Sequence, residues 1–500
     1  MKVLSRAALA KIDVAHASPS ARPIEILQIG EGVFIRGFVD WMVDVANEKG
    51  VFGGGVAVAA PRRHQRPPPL LDQDCLYTVL LRARAGGVDV AERRVVAAVQ
   101  TALDPYTQWD AVKQLAASRA LKFVVSNTTE AGIADVQERY DPDLCPTSFP
   151  AKAAALLKAR YEALGSEAPG LVFLPCELIE ANGATLRRIV LDHARRWGFD
   201  AAFTDWVARK NRFLDTLVDR IVAGYPAAEA EALFAAWGYR DPLAVVAEPF
   251  HLWVIEGPQE IAAELPLAEA GLNVIVTDNL KPYRDRKLRI LNGAHTATAL
   301  AAYLAGLDTV EEMVADPLLS RYLRKLLFDE IVPEVRLPDA ERRAYAESVL
   351  ERFGNPFISH ELIAITLNSV SKWRVRILPT VKDALARGAD APSCLAFSLA
   401  ALLWFYRGRI DGDAYLGSRA KGDYPIRDDS QILGIMADAW ADAEPGAAGE
   451  TAMRLLADAR LWGEKLTALG SLGGQSRAAI EAIERSGVRA AIEGLLARPA

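Results

Sequence analysis

The spacing of apolar residues changes character near the middle of the chain. Ile24–Ile29 is a β-branched and aliphatic run that ends at Gly30, and Phe34, Ile35, Phe38, Val39, Met42 and Val43 follow at helical spacing. That pattern predicts a strand, a tight turn and a helix. Further β-rich runs lie at 56–60, 76–81, 94–99, 122–126 and 171–174, with helical spacing over 109–117 and 151–164 and a Pro-rich loop at 66–69. Alternating strands and helices predict an α/β sheet. The last predicted strand is 273–277; beyond it Ala and Leu recur every three or four residues as far as Leu496, which predicts a helical second half. Turn signals at 354–356, 444–446 and 470–474 divide that half into helices. The chain therefore reads as two domains, 1–280 and 281–500, with a boundary near 278–282.

Composition narrows the classes of function. With 51% hydrophobic and 24% charged residues, the chain is expected to be well packed rather than disordered or fibrous. A net charge of −6 offers nothing to hold a phosphate backbone, so nucleic acid is not an expected partner. The longest apolar stretch, 395–406, contains Ser398 and is shorter than the roughly 18 to 20 residues needed to cross a bilayer, which predicts a buried helix and no membrane span. Lys11 and Asp13 interrupt the N-terminal apolar residues, so a signal peptide is not expected. Cys75, Cys145, Cys176 and Cys394 form no CxxC pair, and none of the six histidines forms HxH or HxxxH. The expectation is a reduced, cytoplasmic protein with no metal site.

Two segments carry chemistry. Gly30 and Gly32 lie between a strand and a helix, where backbone N–H groups can approach a pyrophosphate. The dinucleotide fingerprint wants a third glycine at the position of Ile35; the next one here is Gly37. The second strand ends in Ala59-Ala60-Pro61-Arg62-Arg63 without the acid that usually holds the ribose, so Arg62 and Arg63 either meet a 2′-phosphate or are solvated surface charges. In the second segment, Lys281, Arg284, Arg286, Lys287 and Arg289 crowd a helix start against the single acid Asp285. The macrodipole opposes such crowding, and either an anionic ligand or a solvated basic face would answer for it. Asn292 and His295 share a helical face, and Lys287 precedes them on a long stem. Converging on one ligand, a desolvated Lys could move the hydroxyl proton in a hydride transfer while Asn292 and His295 hold the oxygen.

The ordered landmarks QIGEGVFIRGFVDW from Gln28, SNTTEAGI from Ser126, LPCELIEANG from Leu174, TLVDRIVAGYP from Thr216, KPYRDRKLRILNGAHT from Lys281 and NPFISH from Asn355 resemble the long-chain polyol dehydrogenase family, the group of mannitol dehydrogenase. The resemblance implies an N-terminal Rossmann-type dinucleotide-binding domain followed by a mainly α-helical C-terminal domain, with the active site between them. It implies NAD as cofactor, Lys287 as catalytic acid/base, and Asn292 and His295 as catalytic oxygen ligands. The cofactor segment it implies is Leu27, Gln28, Ile29, Gly30, Glu31, Gly32, Val33, Phe34, Ile35, Arg36, Gly37 and Phe38, joined by Asn127, Thr128, Thr129 and Glu130 at the nicotinamide half. Val218, Asp219 and Lys372 fall at substrate-pocket positions, and His360 either touches substrate or packs.

Two departures from the mannitol dehydrogenase pattern matter. Glu177-Leu178 stands where that pattern has an Asp-Asn pair, and Ala364 stands where it has a substrate-binding arginine. Both resemble a branch that acts on uronates, whose carboxylate Lys372, Arg374 or Arg376 would bind by charge-assisted hydrogen bonds. The implied reaction is reduction of D-tagaturonate to D-altronate by NADH. Alternatives are D-fructuronate to D-mannonate, a neutral polyol, or a non-catalytic sugar-acid sensor. The sequence assigns no oligomeric state.

Overall fold

A computed structural model describes residues 1–9, 21–63, 68–85, 88–357, 360–412 and 414–497. Lys11, Asp13, His16, His64 and the Arg66-Pro67 half of the Pro-rich loop lie outside the described residues. The chain divides into two compact units whose main stretches end at Leu280 and begin at Lys281.

The N-terminal unit is built on a six-stranded parallel sheet. Its order is Val99–Leu103, Gly55–Ala59, Ile24–Ile29, Phe123–Ser126, Val172–Pro175 and Arg212–Phe213. Numbered along the chain, these strands run third, second, first, fourth, fifth, sixth, the order of dinucleotide-binding folds. Apolar side chains cover both faces of the central strands, as a parallel sheet between helices requires. Ile26, Val56, Val58, Phe123 and Val125 pack on one side with Ile35, Phe38, Val39 and Met42 of the first long helical stretch. Leu27, Ile29, Ala57, Val124 and Phe173 pack on the other side under residues of Phe149–Leu164, Asn182–Arg196 and Ala201–Lys210.

The run expected as one strand at 94–99 is two. Val88–Val96 ends one strand, in a second sheet with Tyr77–Ala85, Val245–Ala247 and Val222–Gly224, and Val99–Leu103 opens the next, in the parallel sheet. The crossing is fixed by polar contacts that an apolar count does not register: Asp44 accepts from the Ala97 N–H at 2.8 Å and pairs with Arg94 at 3.0 Å. A third sheet joins Val274–Thr277, Leu252–Glu256 and Asp215–Asp219.

Arg160, fully buried in Phe149–Leu164, donates to the carbonyls of Ala116, Ser118 and Pro169 at 2.7, 2.7 and 2.8 Å. It thereby ties down the loops on either side of the helix. Arg160→Met would leave three carbonyls without their donor, that of Ala116 buried and the other two partly so, and we expect a loss of about 2–3 kcal/mol and a midpoint lowered by roughly 4–12 °C. A thermal melt followed by circular dichroism checks this; a shift under 2 °C would mean that water replaces the guanidinium at little cost.

The C-terminal unit is mainly helical. The apolar stretch at 395–406 lies almost entirely in the buried helix Ser393–Phe405, which packs on Gly293–Leu304 and Leu472–Leu496. Turn signals at 354 and 444–446 fall at helix ends, whereas Gly473 and Gly474 lie within the first turn of Leu472–Leu496. The expectation that 273–277 is the last strand is overturned by an antiparallel sheet of Gly408–Asp411, Ala414–Arg419 and Gly422–Pro425. These strands are rich in Arg, Asp and Gly, so they carry little β signal. Two tyrosines anchor them instead: Tyr415 and Tyr424 donate their hydroxyls to the carbonyls of Tyr406 and Phe405 at 2.6 and 2.9 Å. Among the described residues no helix is long and apolar enough to cross a membrane.

Candidate active site

In the N-terminal unit the site begins at the carboxyl end of Ile24–Ile29, where the strand order reverses and open α/β sheets bind their ligands. Gly30 has φ +128°, and a Cβ there would lie 2.7 Å from the Asn127 carbonyl oxygen on the adjacent strand end. Only glycine fits both constraints. Gly32 has an ordinary φ of −64°, and beyond its own stretch of chain nothing lies within 4 Å of where its Cβ would be. It leaves open backbone just before the helical stretch that starts at Val33 and runs through a π-turn at Arg36–Asp40 to Glu48. Bare backbone at a helix start is the cradle a pyrophosphate needs, so these residues fit a dinucleotide. Gly37 takes up the third glycine's packing role from a later position: its Cβ would lie 3.1 and 3.3 Å from Val245 and Val222.

The contiguous segment expected to touch cofactor divides by burial. The side chains of Leu27, Ile29, Ile35 and Phe38 are core, Gln28 and Arg36 are buried beneath the turn, Phe34 packs in part on the core, and Glu31, Gly32 and Val33 are the exposed or half-exposed positions. The reason is the alternation that built the strand: its side chains point into one core or the other.

The second turn, after Phe123–Ser126, lies against the first. The Asn127 N–H donates to the Ile29 carbonyl at 3.0 Å, and its side-chain amide donates to Cys176 O at 3.2 Å. Glu177, buried, clamps this turn. It accepts from Ser126 Oγ at 2.9 Å, and from the Thr128 N–H and Oγ at 2.9 and 2.8 Å. Burial pushes its carboxyl pKa up, and these donors oppose the shift. The clamp holds Thr129 at φ +77°, a conformation rare for a β-branched residue. Glu177 thus shapes the turn, while Leu178 is exposed on a cleft of about 460 Å³ that Asn127, Thr129, Ala131 and Glu177 also line. Glu130 opens the short 3₁₀ turn that follows. Arg62 and Arg63 are exposed past the second strand, with the Arg63 guanidinium 5.5 Å from the Tyr106 ring centre. Val218 is a core residue opposite Trp253, and Asp219, buried, ends the same strand.

In the C-terminal unit, Lys281–Arg286 leads into a π-helical segment, Lys287–Asn292, and then into the α-helix Gly293–Leu304. The wider turn of a π-helix brings residues five apart closer to one face than an α-helix does, which carries Lys287 toward the side of Asn292, and Asn292 and His295 share one face of the α-helix. The basic run is largely answered within the fold. Lys281 pairs with Asp285, Arg286 with Glu341 and Arg289 with Asp383, and for these cations no ligand is required.

His295 is buried, stacked on Phe353 with ring centres 4.0 Å apart and edge-on to His360 at 4.9 Å. Its Nε2 has no hydrogen-bond partner among the described residues. Burial pushes its pKa well below the usual value, and His360, Arg352, Arg376 and Lys372 add to the shift, so it is neutral at pH 7. Lys372 and Arg376 are one turn apart on Ser369–Arg376, and burial lowers both of their pKa values. Lys372 Nζ donates to Ile365 O at 2.9 Å, and Arg376 donates to Thr296 Oγ at 3.1 Å. Arg374 is exposed and leaves the group. Arg352, buried beside His295, is the cation that sequence reasoning missed; its only signal is a charge next to Phe353 at the end of a charged helix. Among the described residues no cluster of His, Cys, Asp or Glu is placed to hold a metal.

Comparison with known proteins gives two family matches. Residues 24–269 match the mannitol dehydrogenase Rossmann domain and 279–419 the mannitol dehydrogenase C-terminal domain. An altronate oxidoreductase of Halalkalibacterium halodurans is 42% identical over 99% of this chain and 98% of its own. One from Bacillus subtilis is 40% identical over 94% and 95%. In fold, the chain is similar to a crystal structure of D-sorbitol dehydrogenase, with TM-score 0.81 at 23% identity over 98% of this chain and all of that one. It is also similar to Pseudomonas fluorescens mannitol 2-dehydrogenase in a ternary complex with NAD and D-mannitol, with TM-score 0.73 at 23% identity over the whole of both chains.

Proposed function

The chain belongs to the mannitol dehydrogenase family, and from that membership we propose that it is an NAD-dependent oxidoreductase reversibly reducing D-tagaturonate to D-altronate in hexuronate breakdown. The observation that carries the chemistry is the neutral, buried His295 with its unpartnered Nε2, on the helix of Lys287 and Asn292 and among the cations Arg352, Lys372 and Arg376.

NADH, held at the Gly30 to Phe34 turn, supplies the hydride. The Lys287 ammonium gives its proton to the substrate oxygen as the carbonyl becomes an alcohol, and takes it back in the reverse direction. Asn292 donates to that oxygen, and His295 Nε2 orients the same oxygen or a neighbouring hydroxyl. Lys372 and Arg376 hold the carboxylate that separates a uronate from a neutral polyol. The turn of Asn127, Thr128, Thr129 and Glu130 takes the nicotinamide half; Asp219, His360 and the Val218 backbone are assigned to the substrate side. The protein works as a soluble cytoplasmic enzyme.

Initial rates of NADH and NADPH oxidation with D-tagaturonate, D-fructuronate and D-fructose test this reading. We expect NADH to be oxidised with tagaturonate in preference to the other two. Arg376→Met and Lys372→Met should each raise KM for tagaturonate about ten- to a hundredfold, the worth of one charge-assisted contact, and affect fructose less. Preference for fructose would remove the carboxylate assignment, and NADH binding without any oxidation would favour a sensor.

A further inference from the structure

Beneath the glycine turn lies a polar cluster in an otherwise apolar layer. Gln28 is fully buried in the first strand, and its Nε2 donates to the Gly30 carbonyl at 3.0 Å and reaches Asp40 Oδ2 at 3.4 Å. Arg36, also buried, donates its Nε to the Glu31 carbonyl at 3.2 Å and anchors its other end on Leu243 O. Tyr77, from a strand of the second sheet, donates its hydroxyl to Asp40 Oδ2 at 2.8 Å, with the Arg36 guanidinium 5.2 Å from its ring centre.

The consequence follows from peptide geometry. In a trans peptide the C=O and the next N–H point in opposite directions. Drawing the Gly30 and Glu31 carbonyls inward therefore turns the N–H groups of Glu31 and Gly32 outward, toward the space left open above Gly32. These are the donors a pyrophosphate would take.

We propose that Gln28, Arg36 and Asp40 are positioning residues for the cofactor, fixing two peptide planes of its pyrophosphate turn, with Asp40 as the member whose protonation alters the grip. The inference rests on the reading that NADH binds this turn. Gln28 Oε1 and Asp40 Oδ1 are buried without a hydrogen-bond partner among the described residues. A proton on Asp40 would supply a donor among those oxygens. Its loss would place a negative charge under the turn that receives an anion. The charged and titratable groups facing Asp40 are Arg36 and Asp44 on its own helix and Tyr77 from the second sheet; Gln28 is neutral. Arg220 lies further along, held on the Gly37 and Glu248 carbonyls and stacked over Trp41. Burial dominates, and pushes the Asp40 pKa up to about 7.

Fluorescence titration of NADH between pH 6 and 8.5 tests the proposal on wild type, Asp40→Asn and Tyr77→Phe. Wild-type affinity should fall several-fold as pH rises through neutrality and Asp40 ionises. Asp40→Asn should hold the low-pH affinity across the range. Tyr77→Phe removes a hydrogen bond that favours the ionised carboxylate, so its fall should move to higher pH. Two variants with the wild-type dissociation constants and pH profile would overturn the proposal and leave the functional reading intact. A wild type that never binds NADH would bring down both.

Discussion

Lys287→Met is expected to lower kcat for tagaturonate reduction by about a thousandfold or more, the upper part of the range for a positioned general acid, while NADH still titrates. Reduction places charge on the substrate oxygen as the hydride arrives, and that oxygen needs a proton in the same step. His295 is a poor source. Burial and four neighbouring cationic or titratable groups hold its pKa well below the usual value, so at pH 7 it carries no ionisable extra proton. Asn292 can donate a hydrogen bond but cannot release a proton. Lys287, on the π-turn that ends at Asn292, is the member of the three that can release a proton. Stopped-flow and steady-state rates with NADH and tagaturonate measure the loss. A Lys287→Met enzyme within tenfold of wild type would show that the proton comes from elsewhere and that Lys287 only shapes the site.

The glycine turn and the Lys, Asn and His set were legible in the sequence because both depend on local spacing. A strand that ends in two glycines, and two polar residues three apart on a helix, report their geometry directly. The approach of Lys287 to the side of Asn292 was not legible in the same way: a five-residue separation falls off the face of an α-helix, and the wider π-turn narrows that angle. Glu177 illustrates another limit. Its importance lies in contacts with Ser126 and Thr128, about fifty residues earlier, which no window around Glu177 contains. Arg352 is hidden for the same reason, since a basic residue in a charged helix reads as surface until the fold buries it. The strands of the C-terminal unit escaped because tyrosine anchors, rather than an apolar period, hold them in place.

Gly30→Ala and Gly32→Ala should separate stability from binding at one turn. At Gly30 an added methyl must enter a φ of +128° and approach the Asn127 carbonyl to 2.7 Å. Neither side can yield easily: the Gly30 N–H is tied to Ala59 O at 3.1 Å and the Asn127 N–H to Ile29 O at 3.0 Å, so the strand ends would have to part. We expect a cost of roughly 2–4 kcal/mol, a visibly lower melting midpoint, and NADH affinity lost with the turn's shape. At Gly32 the backbone angle suits any residue and the space is open, so Gly32→Ala should melt within about 2 °C of wild type. Its methyl would instead stand where the pyrophosphate must come, and NADH affinity should fall at least about tenfold, a loss of some 1.4 kcal/mol. Thermal melts and NADH titrations on the two variants read both quantities. Gly32→Ala binding NADH as tightly as wild type would mean that the phosphates do not lie over this turn, whatever Gly30→Ala does to the fold.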